Sequence, residues 1–272
     1  MSERNSFEIN VVGSKNSGKN NLFKFLLPVK SLPKKESSSV IKIVQKECSN
    51  GEEAAYIDRE RNLLELQSGQ MDFCLSDVLE VSDINYNLDR KQLTDLVRNE
   101  NSMIIYVLDA KQLGTAKDKE NKKLLEELFK VMELEGKLVS DQCIFVLNNC
   151  AYTVTEGMEQ LINKVRRYLV QFDIIDPTLI PVDEYTADLI MRKRMRRIIF
   201  WREWIYLKLY KSVMIYNDEL HYDGYAVVPL GGVRKYICGE LRKCRESDDW
   251  ESEALIHTGV PVLEAVIREK MQ

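Results

Sequence analysis

Apolar and polar positions along this chain follow two rhythms, one of short continuous runs and one of helical stripes. An apolar run over 7–12 ends at Gly13, the pattern of a buried strand entering a glycine turn. Between 19 and 27, Leu22, Phe23, Phe25, Leu26 and Leu27 gather on one face until Pro28 interrupts them, which predicts a helix. Residues 29–50 are serine-rich and read as a loop crossed by a strand at 40–44. Segments 63–66 and 71–81 are strand candidates, and Ser68-Gly69 between them fits a hairpin.

From residue 103 onward the two rhythms alternate. A strand at 103–108 precedes a charged helix over 117–138. A strand at 143–147 precedes a helix over 156–172, which opens on the capping-box spacing of Thr153 and Glu156, and a short strand follows at 179–182. Strands separated by helices of a dozen residues imply βαβ crossovers, so the expected fold class is α/β: a mostly parallel sheet with helices on both faces. The rhythm then changes to one long basic, aromatic helix beginning near Tyr185, an irregular stretch over 217–258 and a closing helix over 260–271. With no internal repeat, the expectation is one domain over 1–272, with a core over 1–190 and an appendage over 191–272.

Composition narrows this picture. Among 272 residues, 12 glycines and 6 prolines are too few for a many-turned sandwich, while 44% hydrophobic and 30% charged residues suit a globular protein. The net charge of −4 selects no partner. The most apolar stretch, 198–216, carries Arg202, Glu203, Lys208 and Lys211, so no membrane span is expected, and the first residues lack a secretory pattern. Six cysteines lie far apart without CxxC spacing, with Cys74 and Cys143 in apolar runs. This predicts a cytoplasmic chain without disulfides or zinc. His221 and His257 have no ligand spacing around them and read as ordinary residues.

The chemistry concentrates in one string. Gly13-Ser14-Lys15-Asn16-Ser17-Gly18-Lys19-Asn20 matches GxxxxGK[ST] except at its last position, follows a strand run and opens a helix, with Asn21 next. Glycines let successive backbone N–H groups curl around phosphate oxygens at the positive end of a helix, and Lys19 would reach the β and γ phosphates. At Asn20 an amide oxygen stands where a hydroxyl normally meets Mg²⁺. The structural alternative is a plain strand-to-helix turn with an exposed lysine.

With this loop in place, later segments resemble dynamin-like GTPases, particularly the bacterial ones. Met103-Ile-Ile-Tyr-Val-Leu-Asp109-Ala-Lys-Gln-Leu113 and Cys143-Ile-Phe-Val-Leu-Asn148-Asn149-Cys150 resemble the family's fourth strand and its NKxD strand. Leu179-Ile-Pro-Val-Asp183-Glu184-Tyr185 is similar to its last strand, and Thr258-Gly259-Val260-Pro261 to the segment before its terminal domain helix. The resemblance implies a P-loop GTPase-type fold, GTP or GDP as ligand, Mg²⁺ held with help from Asn20, and a base site at Asn148, Asn149 and Asp183. It carries no counterpart of the family's helical stalk.

Several motifs depart from the family pattern. Ala151 stands at the base-reading Asp and Asn149 at the Lys. Losing a charge-assisted bond of about 1.5–3 kcal/mol lowers guanine affinity roughly ten- to 150-fold. The counterpart of the γ-phosphate-sensing DxPG is Glu80-Val81-Ser82-Asp83 before Ile84, which sets an acid where a backbone N–H should meet phosphate. Only Ser37, Ser38 and Ser39 offer a switch hydroxyl. These erosions lead to the expectation of a degenerate GTPase domain that binds guanine nucleotide weakly or not at all and serves as a regulatory or assembly partner of an active dynamin-like protein. A divergent active GTPase is the second reading. The third places function on the segment 191–211, where eight Lys/Arg face a single acid, Glu203. There Arg192, Arg194, Arg196, Arg197 and Trp201 would form a lipid or partner surface, with peripheral membrane contact preferred over nucleic acid. A solvated helix packed on the domain is the structural alternative.

Overall fold

The computed structural model describes residues 8–14, 17–19, 22, 38–45, 78–85, 90–100, 102–115, 118–150, 158–175, 177–194, 196–210 and 231–270. Strands β1 (Glu8–Val12), β2 (Ser38–Gln45), β3 (Val78–Asn85), β4 (Ser102–Asp109), β5 (Cys143–Asn148) and β6 (Thr178–Val182) form one sheet in the order β3-β2-β1-β4-β5-β6. The run β1-β4-β5-β6 is parallel throughout. Every residue of β4, β5 and β6 is buried, and because alternate side chains point to opposite faces, both faces of these strands are covered. This is why they read as uninterrupted apolar runs. Tyr106 and Phe145 sit at the centre of the core, with ring centroids 5.8 Å apart.

The other edge differs from expectation. β2 is antiparallel to both β1 and β3, and the segment 63–66, expected to form a hairpin with the strand at 71–81, lies outside the described residues. The strand expected at 40–44 extends to eight residues, and that expected at 71–81 ends later, at Asn85.

Helix α1 (Arg90–Arg98) is an element beyond those expected from the sequence. It buries Leu93, Leu96 and Val97, spaced i, i+3, i+4. Helix α2 (Lys119–Leu134) buries Asn121, Leu125, Leu128, Val131 and Met132 and stops short of the expected 138, because Gly136 takes a left-handed φ of +64°. A single turn, α3 (Val139–Gln142), leads into β5, and α4 (Met158–Val170) leads to β6. The capping pair Thr153 and Glu156 lies outside the described residues. A buried polar network locks α2 to α4: Asn121 Nδ2 donates to the Tyr168 hydroxyl at 2.9 Å, and that hydroxyl donates to Asp118 at 3.0 Å. Burial pushes the Cys143 thiol up to about 12, consistent with a small core residue.

Two expectations about the last third are corrected. The long helix from Tyr185 is two helices, α5 (Glu184–Arg194) and α6 (Trp201–Tyr210). Arg196 is left-handed at φ +53°; its N–H bonds Lys193 O, and Arg197 N–H bonds Arg192 O, which closes the end of α5. The stretch expected to be irregular contains α7 (Gly231–Glu246) and α8 (Trp250–His257), followed by α9 (Val260–Lys270). α7 buries Val233, Ile237, Leu241 and Cys244, a helical stripe among many charges. His257 is fully buried in α8, and His221 lies outside the described residues. No helix among the described residues is long and apolar enough to cross a membrane.

Candidate functional site

The carboxyl ends of β1, β4, β5 and β6 come to one edge of the sheet, where ligands bind in open α/β folds. β1 delivers Gly13 beside β4. A Cβ on Gly13 would stand 2.6 Å from the Val107 carbonyl oxygen, so only glycine allows the approach. Ser17 N–H bonds Ser14 O at 3.2 Å, and Leu22 N–H bonds Gly18 O at 3.0 Å, the first turn of the helix that follows.

Within the loop, Lys19 is buried and folds its ammonium back inside. Nζ donates to Gly13 O at 2.8 Å, to Ser14 O at 2.6 Å and to Ser17 Oγ at 3.4 Å. The remaining expected loop residues, Lys15, Asn16, Asn20 and Asn21, lie outside the described residues, and with Asn20 goes the expected Mg²⁺ ligand.

Asn148, at the end of β5, clasps the loop from the side. Its Nδ2 donates to Ser17 O at 3.0 Å, and its Oδ1 accepts from Asn149 N at 2.8 Å. Gly18 makes room for this contact. A Cβ there would lie 1.8 Å from Asn148 Nδ2, and the φ of +92° excludes most side chains in any case. Asn149 is left-handed at φ +60°, a conformation asparagine tolerates, and its amide donates to Asp109 Oδ1 at 3.2 Å. Asp109, a site residue beyond those expected from the sequence, ends β4 and also accepts from Lys111 N and Gln112 Nε2. An acid closing an apolar strand run beside the glycine-loop strand is the signal for it.

Asp183, the third expected base residue, caps α5. Its carboxylate accepts from Thr186 N at 3.1 Å and Thr186 Oγ1 at 2.5 Å, and Tyr206 OH lies 3.5 Å away. Burial holds its pKa above the usual carboxylate range, against the lowering effect of these hydrogen bonds. Its own N–H bonds Thr258 O at 2.8 Å, which ties the α8–α9 junction to this edge. Glu80, Val81, Ser82 and Asp83 lie within β3 rather than in a turn after it, with Asp83 paired to Ile41. Ser38 and Ser39 belong to β2, while Ser37 and Ala151 are outside the described residues.

The basic segment divides in two. Arg192 pairs with Glu203 at 2.7 Å and Asp188 at 2.9 Å, Lys193 pairs with Glu251, and Arg194 donates to Ser252 Oγ at 2.5 Å. These contacts fasten α5 to α6 and α8. Arg196, Arg197 and Trp201 are exposed. Comparison with known proteins brings no match: no family model, curated protein or solved structure matches this chain.

Proposed function

We propose that loop 13–20 is the phosphate-binding loop of a P-loop GTPase-type domain, and that the protein is a degenerate, dynamin-like member that binds guanine nucleotide weakly and does not turn it over. The observation that carries this reading is the Lys19 ammonium enclosed by the loop at the carboxyl edge of a parallel run, with the Asn148 amide against Gly18. On nucleotide binding, Nζ exchanges neutral carbonyl partners for charged phosphate oxygens, a gain in bond strength. Weak affinity follows from the surroundings. Asn148 and Asn149 have their amides engaged by Ser17 and Asp109, Asp183 is turned to α5, and Glu184 is buried near Gly18. Phosphoryl transfer depends on positioning and Mg²⁺, and the expected γ-phosphate-sensing segment, Glu80 to Asp83, lies within β3 rather than in a turn. A domain of this kind acts by assembling with an active dynamin-like protein.

Isothermal titration with GTP, GDP and ATP, with and without Mg²⁺, on the wild type and Lys19→Ala tests this. Guanine nucleotides should bind the wild type with Kd of roughly 10 μM or weaker, and lose at least about tenfold in Lys19→Ala. Binding indifferent to Lys19 would sink the site. Lys19-dependent GTP turnover would instead leave the site and overturn its description as inactive.

A further inference from the structure

Helix α6 is apolar on the side that should face water. Trp201, Trp204, Ile205 and Lys208 follow the spacing i, i+3, i+4, i+7 and share the outer face, while Leu207 on the opposite side is buried. Exposure reaches 68% at Trp201, 48% at Trp204, 40% at Ile205 and 63% at Leu209, and the lead-in adds Ile198 at 79% and Phe200 at 66%. Six large apolar side chains within twelve residues make a patch of the kind that marks an interaction surface.

Its charge says what would cover it. Arg196, Arg197, Arg202 and Lys208 are all exposed around the patch. The single acid between 196 and 209, Glu203, is turned inward, accepting from Arg192 Nη2 at 2.7 Å and from Phe200 N at 2.8 Å. Lys208 Nζ lies 3.6 Å from the centroid of the Trp204 ring, and Arg202 stacks 5.5 Å from that of Trp201. Long cationic side chains lying along aromatic rings can lift their charges to a phosphate layer while the rings enter the apolar layer beneath. A second copy of the chain fits poorly, because a two-fold contact through this face would bring together two cationic patches whose single acid, Glu203, is already engaged by Arg192. Bases would stack on Trp201 and Trp204, but nucleic acid would leave the exposed aliphatic side chains Ile198, Ile205 and Leu209 in water, whereas the apolar layer of a membrane removes them from it.

We propose that the outer face of α6, with residues 196–200 leading into it, docks on an anionic phospholipid surface, lying in the headgroup region with Trp201 and Trp204 inserted. This surface is separate from the glycine loop, so it stands or falls independently of the nucleotide reading.

The test is co-sedimentation of the full chain with phosphatidylcholine vesicles and with vesicles containing about one third phosphatidylserine. Tryptophan fluorescence is followed in parallel with lipids brominated high in the acyl chain. The wild type should pellet with the anionic vesicles, show quenching, and lose at least about tenfold in partitioning when salt rises from about 0.1 to about 0.5 M. Trp201→Ser with Trp204→Ser, and separately Arg202→Glu with Lys208→Glu, should each lower partitioning by about tenfold or more. Lys19→Ala should pellet as the wild type does. Trp250, beneath Lys193 in the fold, remains as the unquenched reference. Quenching and salt dependence are read on the unaltered chain, so an unstable variant does not rescue the idea. Absence of pelleting, equal pelleting on neutral vesicles, or a concentration-dependent dimer that the tryptophan variants dissociate would each overturn it.

Discussion

The glycine-loop edge and the outer face of α6 meet the problem of exposed chemistry in opposite ways. At the loop, polar groups are buried and bonded to one another: Lys19 to Gly13 and Ser14, Asn148 to Ser17, Asn149 to Asp109. On α6, apolar groups face water and the cations lie over aromatic rings. A ligand entering the loop must therefore replace existing bonds, and its net gain is the difference between two sets of hydrogen bonds, each of modest net worth. A surface meeting α6 breaks little and removes apolar area from water, at about 25 cal/mol per Å². Under the two proposals, the loop would combine selectivity with small affinity, and the helix affinity with small selectivity.

The sharpest way to break this contrast is at Gly18. Gly18→Val should cost about 3–5 kcal/mol, because it forces a β-branched residue to φ +92° and overlaps Asn148. Asn148→Ala alone should cost about 1–2 kcal/mol through its lost bonds to Ser17 and Asn149. Because removing Asn148 also opens space, the double variant should be more stable than the sum of the two by about 1 kcal/mol. Urea unfolding of the three variants checks it. By contrast, Trp204→Ser on α6 should stay within about 0.5 kcal/mol of the wild type. Simple additivity at Gly18 and Asn148 would mean the two are not in the contact described.

Acid should destabilise the fold through the buried His257 of α8. His257 is fully enclosed, and its Nε2 lies 3.7 Å from Glu253, too far for a hydrogen bond. Burial lowers its pKa to about 4, helped by Arg245 and opposed by Glu253. The folded state thus resists a proton that the unfolded chain takes up near pH 6.5. Stability from this group is complete above about pH 6.5 and falls as pH drops toward 4, by up to about 3 kcal/mol. Unfolding free energies across this range should decline less steeply in His257→Phe than in the wild type. Equal slopes would mean that the imidazole is charged in the fold.

Legibility in the sequence followed the same division. The parallel strands could be read because burial on both faces leaves an unbroken apolar run, and the glycine loop because its residues are consecutive. The antiparallel insertion of β2 beside β1 could not, since pairing partners are set by distant residues. Helix ends are hard to read from the sequence for a local reason. Four left-handed closing residues, Gly136, Asp173, Arg196 and Asp248, end helices through the same pair of backbone bonds, and only the first is a glycine. The break at Arg196 turned one expected helix into two and directed Arg192 and Arg194 inward while leaving Arg197 outside. Asp183 was legible as an acid at a strand end, but its partner Thr186 identifies it as a cap, a role that depends on where α5 begins.

A smaller effect than those at Gly18 and His257 bears on that residue. If Asp183 acts as the cap of α5, Asp183→Ala should destabilise the fold by about 1 kcal/mol, with both Thr186 bonds lost. Asp183→Asn keeps an oxygen for the Thr186 N–H and removes a charge that burial disfavours, so it should fall within about 0.5 kcal/mol of the wild type. Neither substitution should alter the ratio of GTP to ATP affinity, because the carboxylate is engaged with α5 and close to Tyr206 of α6. A changed ratio in Asp183→Asn with unchanged stability would transfer the residue from the helix cap to the base site. The loop edge would then reach as far as the start of α5, and the two regions contrasted above would meet at Tyr206.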